Sequence, residues 1–163
     1  MSFRLKFMAV AGALTLASSA QAVTGTVMWH DLSLDLAKMA AETTLQTCQA
    51  KGFHTAAVVV DRAGVVLVTL RDERATPQMM EMARRKAYTA KMFRRTTKDW
   101  AERTNNTDIA PQRDLEDVLA LAGGVPIQMG DETIGAVGSS GSSLEQDDAC
   151  AHAGVAAVAK FLK

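Results

Sequence analysis

Between Pro77 and Phe93 this chain gathers most of the side chains that could do chemistry. Met79, Met80, Met82 and Met92 stand there with Tyr88, Thr89 and the consecutive cations Arg84, Arg85 and Lys86. Thioethers are soft and adaptable, a phenol adds a harder oxygen donor, and guanidinium forks match carboxylates. Such a set suits a flat apolar ligand that carries a metal and acidic arms. A plainer reading stands beside it, with the methionines filling a core and the cations forming a solvated face. Lys86 could serve a ligand or pair with a carboxylate such as Asp61 to hold the helix on a sheet.

Three histidines compete as metal donors, His30, His54 and His152. None lies in a ligand motif such as CxxCH or HExxH, and each also reads as a surface side chain. His30 is the strongest of them, because Met28 and Trp29 precede it in a segment able to fold over a flat ligand. The glycines at 123, 124, 138 and 141 do not make a P-loop, since no lysine-bearing glycine loop joins a strand to a helix. Their expected role is structural. Ser139, Ser140 and Ser142 lack the nucleophile-elbow pattern, which argues against a hydrolase.

Positioning these groups falls to a set of helices and strands. Ser33 caps a predicted helix that runs to about residue 50, with Leu36, Met39, Ala40, Thr43, Thr44 and Thr47 on one face and Leu34 and Leu45 widening it. Residues 55–60 and 65–70 read as two strands of a hairpin around Asp61-Arg62-Ala63-Gly64. Thr76 as N-cap and Pro77 at the first helical position start the methionine-rich helix, with Met79, Ala83, Ala87 and Ala90 on one stripe. A short helix from residue 96 or 97 to 103 follows, then a surface loop over 104–113. Strands are expected at 118–121, 125–128 and 133–137. Ser142 or Ser143 caps a last helix, 144–161. This order does not alternate strand and helix, so a doubly wound parallel sheet is excluded in favour of an antiparallel α+β fold.

The ends and the composition limit the function. Arg4 and Lys6, an uncharged apolar run over residues 7–17 and Ala20-Gln21-Ala22 have the form of a signal peptide cleaved after residue 22. That leaves residues 23–163 as a single domain with 16 basic and 18 acidic side chains. A chain without basic excess gives no bulk attraction for nucleic acid, and no second apolar run is long enough for a membrane span. The expected location is periplasmic or secreted. In that oxidising setting Cys48 and Cys150 favour a disulfide over a reactive thiol, a metal pair or two separate buried cysteines.

Four segments in order resemble the GlcG/HbpS-like family, which includes the C-terminal domain of PduO-type proteins. They are Val58-Val59-Val60-Asp61-Arg62-Ala63-Gly64, Arg85-Lys86-Ala87-Tyr88-Thr89-Ala90, Gly123-Gly124-Val125-Pro126-Ile127, and Gly135-Ala136-Val137-Gly138-Ser139-Ser140-Gly141. The last continues into Glu145-Gln146-Asp147 and Ala151-His152-Ala153-Gly154. The charged stretch from Gln112 to Asp117 departs from the glycine-containing loop of many relatives. The resemblance implies a profilin-like fold, about five antiparallel strands flanked by helices, and assembly into homo-oligomers. It implies antiparallel first and last helices, which bring Cys48 level with Cys150. It also implies haem as the tetrapyrrole ligand, with corrinoid as the alternative. The expected cofactor-binding residues are Met82, Arg84, Arg85, Lys86, Tyr88, Thr89, Met92 and His30, with His30 as the metal donor. The expected activity is that of a carrier, buffer or sensor accessory. The alternatives are an enzyme that degrades haem or handles small organic acids, and a structural accessory to a periplasmic redox system.

Overall fold

A computed structural model describes residues 25–162, and the predicted signal peptide lies outside the described residues. Helix α1 (Leu34–Gln49) leads into the hairpin β1 (Ala56–Val60) and β2 (Val66–Arg71). Helices α2 (Pro77–Phe93) and α3 (Thr97–Arg103) follow, then a short 3-10 helix (Ala110–Asp114), β3 (Gly124–Met129), β4 (Glu132–Ser140) and α4 (Leu144–Ala159). The sheet order is β2-β1-β4-β3, antiparallel at every pairing. Side-chain hydroxyls cap three helices at their starts, Ser33 for α1, Thr96 for α3 and Ser143 for α4, whereas Thr76 makes no such bond.

Central strand β1 is buried along its whole length, so it reads as one apolar run and not as alternation. Its side chains divide between two cores. Val59 joins Val125, Ile127, Ile134 and Val137 beneath α1 and α4, whereas Val58, Val60 and Ala136 face Ala83, Ala87 and Ala90 of α2. The molecule is thus three layers, α1 and α4 on one face of the sheet and α2 on the other. Each fully buried valine contributes about 1.5 to 3 kcal/mol relative to exposure.

Both helical layers approach closely, and glycine makes this possible. A Cβ at Gly138 of β4 would collide with the Ala83 carbonyl oxygen and stand 2.8 Å from the Ala87 nitrogen, so the α2 backbone sits directly on the strand. Gly154 of α4 similarly faces Thr44 and the Ala40 carbonyl of α1. This second contact corrects the expected face of α1. The buried residues are Ala37, Ala40, Ala41, Thr44 and Cys48, while Met39 is exposed, because close helix approach selects small side chains over long ones. Cys48 and Cys150 are joined with Cα atoms 5.7 Å apart, linking α1 to α4.

The strand expected at 118–121 is not formed, leaving four strands. Its backbone groups are claimed by side chains of α2: the Leu119 amide donates to Thr89 Oγ1 at 2.8 Å, and Arg85 donates to the Val118 carbonyl at 2.6 Å. The predicted loop over 104–113 contains the start of the 3-10 helix, α4 ends at Ala159, and Ser139 and Ser140 belong to β4 rather than to a turn.

Candidate functional site

The methionine-rich helix was the expected centre of chemistry, and its outer face does border a cleft. Tyr88 and Met92, one turn apart, line a hollow of about 410 Å³ together with Phe93, Leu115, Glu116 and Val118. Trp100 of α3 is buried behind it and stacks on Phe93, with ring centroids 3.6 Å apart. On the opposite side the β1–β2 turn closes in, since a Cβ at Gly64 would stand 2.5 Å from Met92 Cε and 3.1 Å from the Tyr88 ring.

The cations of α2 fasten the wall of this cleft. Arg84 bonds Glu81 at 2.8 Å and Asp117 at 2.5 Å, and these two carboxylates hold its guanidinium firmly charged. Arg85 reaches the Val118 carbonyl and Thr89 the Leu119 amide. Three expected site residues therefore hold residues 117–119 against α2. Met82 is half-buried on the same helix and does not line the cleft.

Lys86 lies elsewhere, fully buried at the other side of the helix. Its ammonium donates to Asp147 Oδ2 and to the Ser139 carbonyl, each at 2.9 Å, so its carboxylate partner is Asp147 of α4 and not Asp61. Asp61 instead turns its carboxylate onto the amides of Ala63 and Val65 and shapes the hairpin turn. Burial pushes the Lys86 pKa down, and Asp147 and Asp148 push back. Asp147 also accepts from the Ser142 hydroxyl and amide at the start of α4. Lys86 thus joins α2 to the opposite helical layer.

His30 sits outside the cleft, exposed, with Nδ1 3.3 Å from Glu132 Oε1. The connection runs through Arg62 of the β1–β2 turn, which bonds Glu132 and the His30 carbonyl and lies 5.2 Å under Trp29. The turn therefore has the His30–Trp29 segment on one side and Tyr88–Met92 on the other. His54 pairs with Asp72 and His152 with Asp148, away from both.

A second cleft, of about 460 Å³, lies between α3, residues 120–122 and the start of α4. Its walls include Lys98, Ala101, Leu121, Leu144 and Asp148, with no aromatic, thioether or imidazole group. Of these two clefts the smaller offers the donor types that a metal-bearing macrocycle needs, a phenol and a thioether on an apolar wall. Phe93, Leu115 and Val118 were missing from the expected site. Phe93 follows Met92 directly and could have been included by helix position, whereas residues 115–118 carry no periodic pattern that would place them.

A profilin-like antiparallel sheet between two helical layers, with an apolar cleft along α2, defines the class of protein. Residues 32–156 match the family described as haem degrading protein HbpS-like. A doubly substituted variant of Streptomyces reticuli HbpS is similar at 33% identity with TM-score 0.78, covering 87% of this chain and 97% of that one. This chain belongs to the HbpS-like family. The fold also recurs in Klebsiella pneumoniae ORFY, at 21% identity and TM-score 0.80 over 84% of this chain and 97% of that one. It recurs in PduOC, solved as a heme complex, at 24% identity and TM-score 0.72 over 78% and 95%. No curated protein matches the chain.

Proposed function

We propose that this protein binds haem in the cleft along α2, with a corrinoid as the alternative tetrapyrrole. The observation that carries the reading is the convergence of Tyr88, Met92 and Phe93 on one apolar wall in a member of the HbpS-like family. Tyr88 and Met92 would lie against the macrocycle, whereas His30, beyond the β1–β2 turn and paired with Glu132, would have to leave that pair to serve as the metal donor. Arg84, Arg85 and Thr89 would act by fixing residues 117–119, and Met82 and Lys86 by supporting the helix. Bound haem would supply a redox-active iron, and the protein's own part is to exclude water from one face of the ring and to orient it.

The basic start, apolar run and Ala20-Gln21-Ala22 support export, and with it the reading as a carrier, buffer or sensor accessory in the periplasm. Assembly into a homo-oligomer would complete a cleft that one chain leaves open to solvent. The family description favours a second reading, haem breakdown.

Hemin titration tests both. A saturable Soret band is expected, weakened about tenfold or more in Met92→Ala and Tyr88→Phe and little changed in Leu144→Ala of the other cleft. Equal affinity in all of them would remove the placement. Decay of the band with iron release would establish breakdown; a stable band over hours would leave binding.

A further inference from the structure

Behind the β1–β2 turn is a third hollow, of about 160 Å³, that the haem reading does not use. Arg62, Lys91, Arg94, Asp131, Glu132 and Thr133 line it. We infer that this hollow is a binding site for a monocarboxylate, held by Lys91, Arg94 and the Thr133 hydroxyl.

Charge gives the first argument. Three cations line the hollow with two carboxylates, and Asp61 and Asp31 also act on Lys91, so the cations suit a singly charged carboxylate better than a phosphate dianion. Glu132 is occupied by Arg62 at 2.5 Å, whereas Lys91 and Arg94 have no ion-pair partner among the described residues. Lys91 is partly buried, and burial together with neighbouring Arg94 and Arg62 pushes its pKa below the ordinary lysine value, with Asp61 and Asp31 opposing the shift. An anion between these cations relieves that crowding.

Hydrogen bonding gives the second. Thr133 is 8% exposed, and its Oγ1 is buried without a hydrogen-bond partner among the described residues. A buried hydroxyl left unpaired is costly, and a carboxylate oxygen in the hollow supplies its acceptor.

The backbone gives the third. Arg94 occupies the left-handed position that ends α2, with φ 54°, where the Arg95 amide closes a bond to the Ala90 carbonyl. Glycine or asparagine normally fills that position because a Cβ is strained there. Retaining arginine at a strained site is explained by a task for its side chain. The competing explanation is a cation complementing the helix C-terminus, which any nearby lysine or arginine provides.

The carboxylate has two sources, a free small acid or the propionate arm of a tetrapyrrole; only the second rests on the haem reading. The test is a propionate titration of the full chain, followed through the arginine side-chain Nε resonances, with inorganic phosphate in parallel. Saturable shifts at Arg62 and Arg94 are expected, weaker for phosphate, and reduced about tenfold or more in affinity in Lys91→Gln and Thr133→Val. Arg94→Gly separates the explanations. It should lose propionate affinity while its Tm rises by about 2 to 4 °C as the strain is relieved. A fall in Tm with unchanged propionate affinity would reduce Arg94 to a helix-end charge and overturn the proposal, as would non-saturating shifts equal in all variants. Competition between propionate and hemin, lost when hemin dimethyl ester replaces hemin, would assign the site to the tetrapyrrole arm. Propionate saturation without competition would assign it to a free acid, and saturation with no Soret band at all would retire the haem reading while leaving this one intact.

Discussion

The two helical layers on either side of the sheet are built by different means. Helices α1 and α4 are stapled by Cys48–Cys150 and meet over Gly154, Ala40 and Thr44, with valines and isoleucines of the sheet beneath. Helix α2 is docked by backbone approach at Gly138 and by alanines, and its outer face carries Tyr88, Met92, Arg84 and Arg85. A helix that needs only alanines to dock leaves its large and charged side chains free for a cleft. The layer with the covalent link fixes the frame, and the layer without it presents the chemistry. Lys86 is where the two meet, because it leaves α2 and ends on Asp147 of α4.

The largest expected effect comes from breaking that meeting point. Lys86→Ala leaves Asp147 buried without its counter-charge and should cost about 3 to 5 kcal/mol in urea denaturation. Lys86→Met combined with Asp147→Leu should recover part of this, although Ser142 then loses its acceptor. A Lys86→Ala loss under about 1 kcal/mol would mean that the layers are not coupled through the pair.

Removing the staple tests the frame itself. Cys48→Ala with Cys150→Ala, or reduction of the bridge, should cost about 2 to 4 kcal/mol, because 102 residues separate the two cysteines and the open chain regains the freedom of a long loop. Hemin affinity should stay unchanged while the protein remains folded, since the bridge lies on the face opposite the cleft. A proportional fall in affinity would erase the division between the layers.

The two close glycines allow the same comparison with one added methyl group each. A Cβ at Gly138 meets only backbone atoms of Ala83 and Ala87, which cannot rotate aside, whereas at Gly154 the first neighbour is the Thr44 side chain and a single backbone atom, the Ala40 carbonyl oxygen, follows at 2.6 Å. Gly138→Ala should therefore cost more than Gly154→Ala within the range of about 1 to 3 kcal/mol typical of overpacking. It should also disturb the cleft by moving α2, a change visible in Trp100 fluorescence.

Much of this arrangement was legible in the sequence, and the failures have physical causes. Helix caps at Ser33 and Ser143, the hairpin turn at Asp61–Gly64 and the alanine stripe of α2 are local signals, and the structure follows them, whereas Thr76 forms no cap bond. On α1 the expected Ala40 and Thr44 are buried, whereas Ala37, Ala41 and Cys48 replace Met39 on the inner face, because contact with Gly154 admits only small side chains. The strand at 118–121 failed because Arg85 and Thr89, about 30 residues away, claim its backbone. The partner of Lys86 depended on the same kind of long-range contact.

The smallest effect concerns Asp72, which ties the end of β2 to the frame layer. Its carboxylate accepts from Gln49 of α1 at 2.9 Å and from the Arg74 amide at 2.9 Å, and pairs with His54 at 3.1 Å. These bonds, led by Gln49, lower its pKa from 3.8 to about 2. The sign follows from proton binding: between these values the unfolded chain takes up a proton that the folded protein refuses, so acid favours unfolding. The contribution is fully present above about pH 4 and is lost as pH falls through about 2. Urea midpoints measured from pH 5 to pH 2 should fall less steeply in Asp72→Asn than in the parent, the curves converging at the acid end. Parallel curves throughout would show that Asp72 titrates alike in both states and that its bonds to α1 add nothing to the frame.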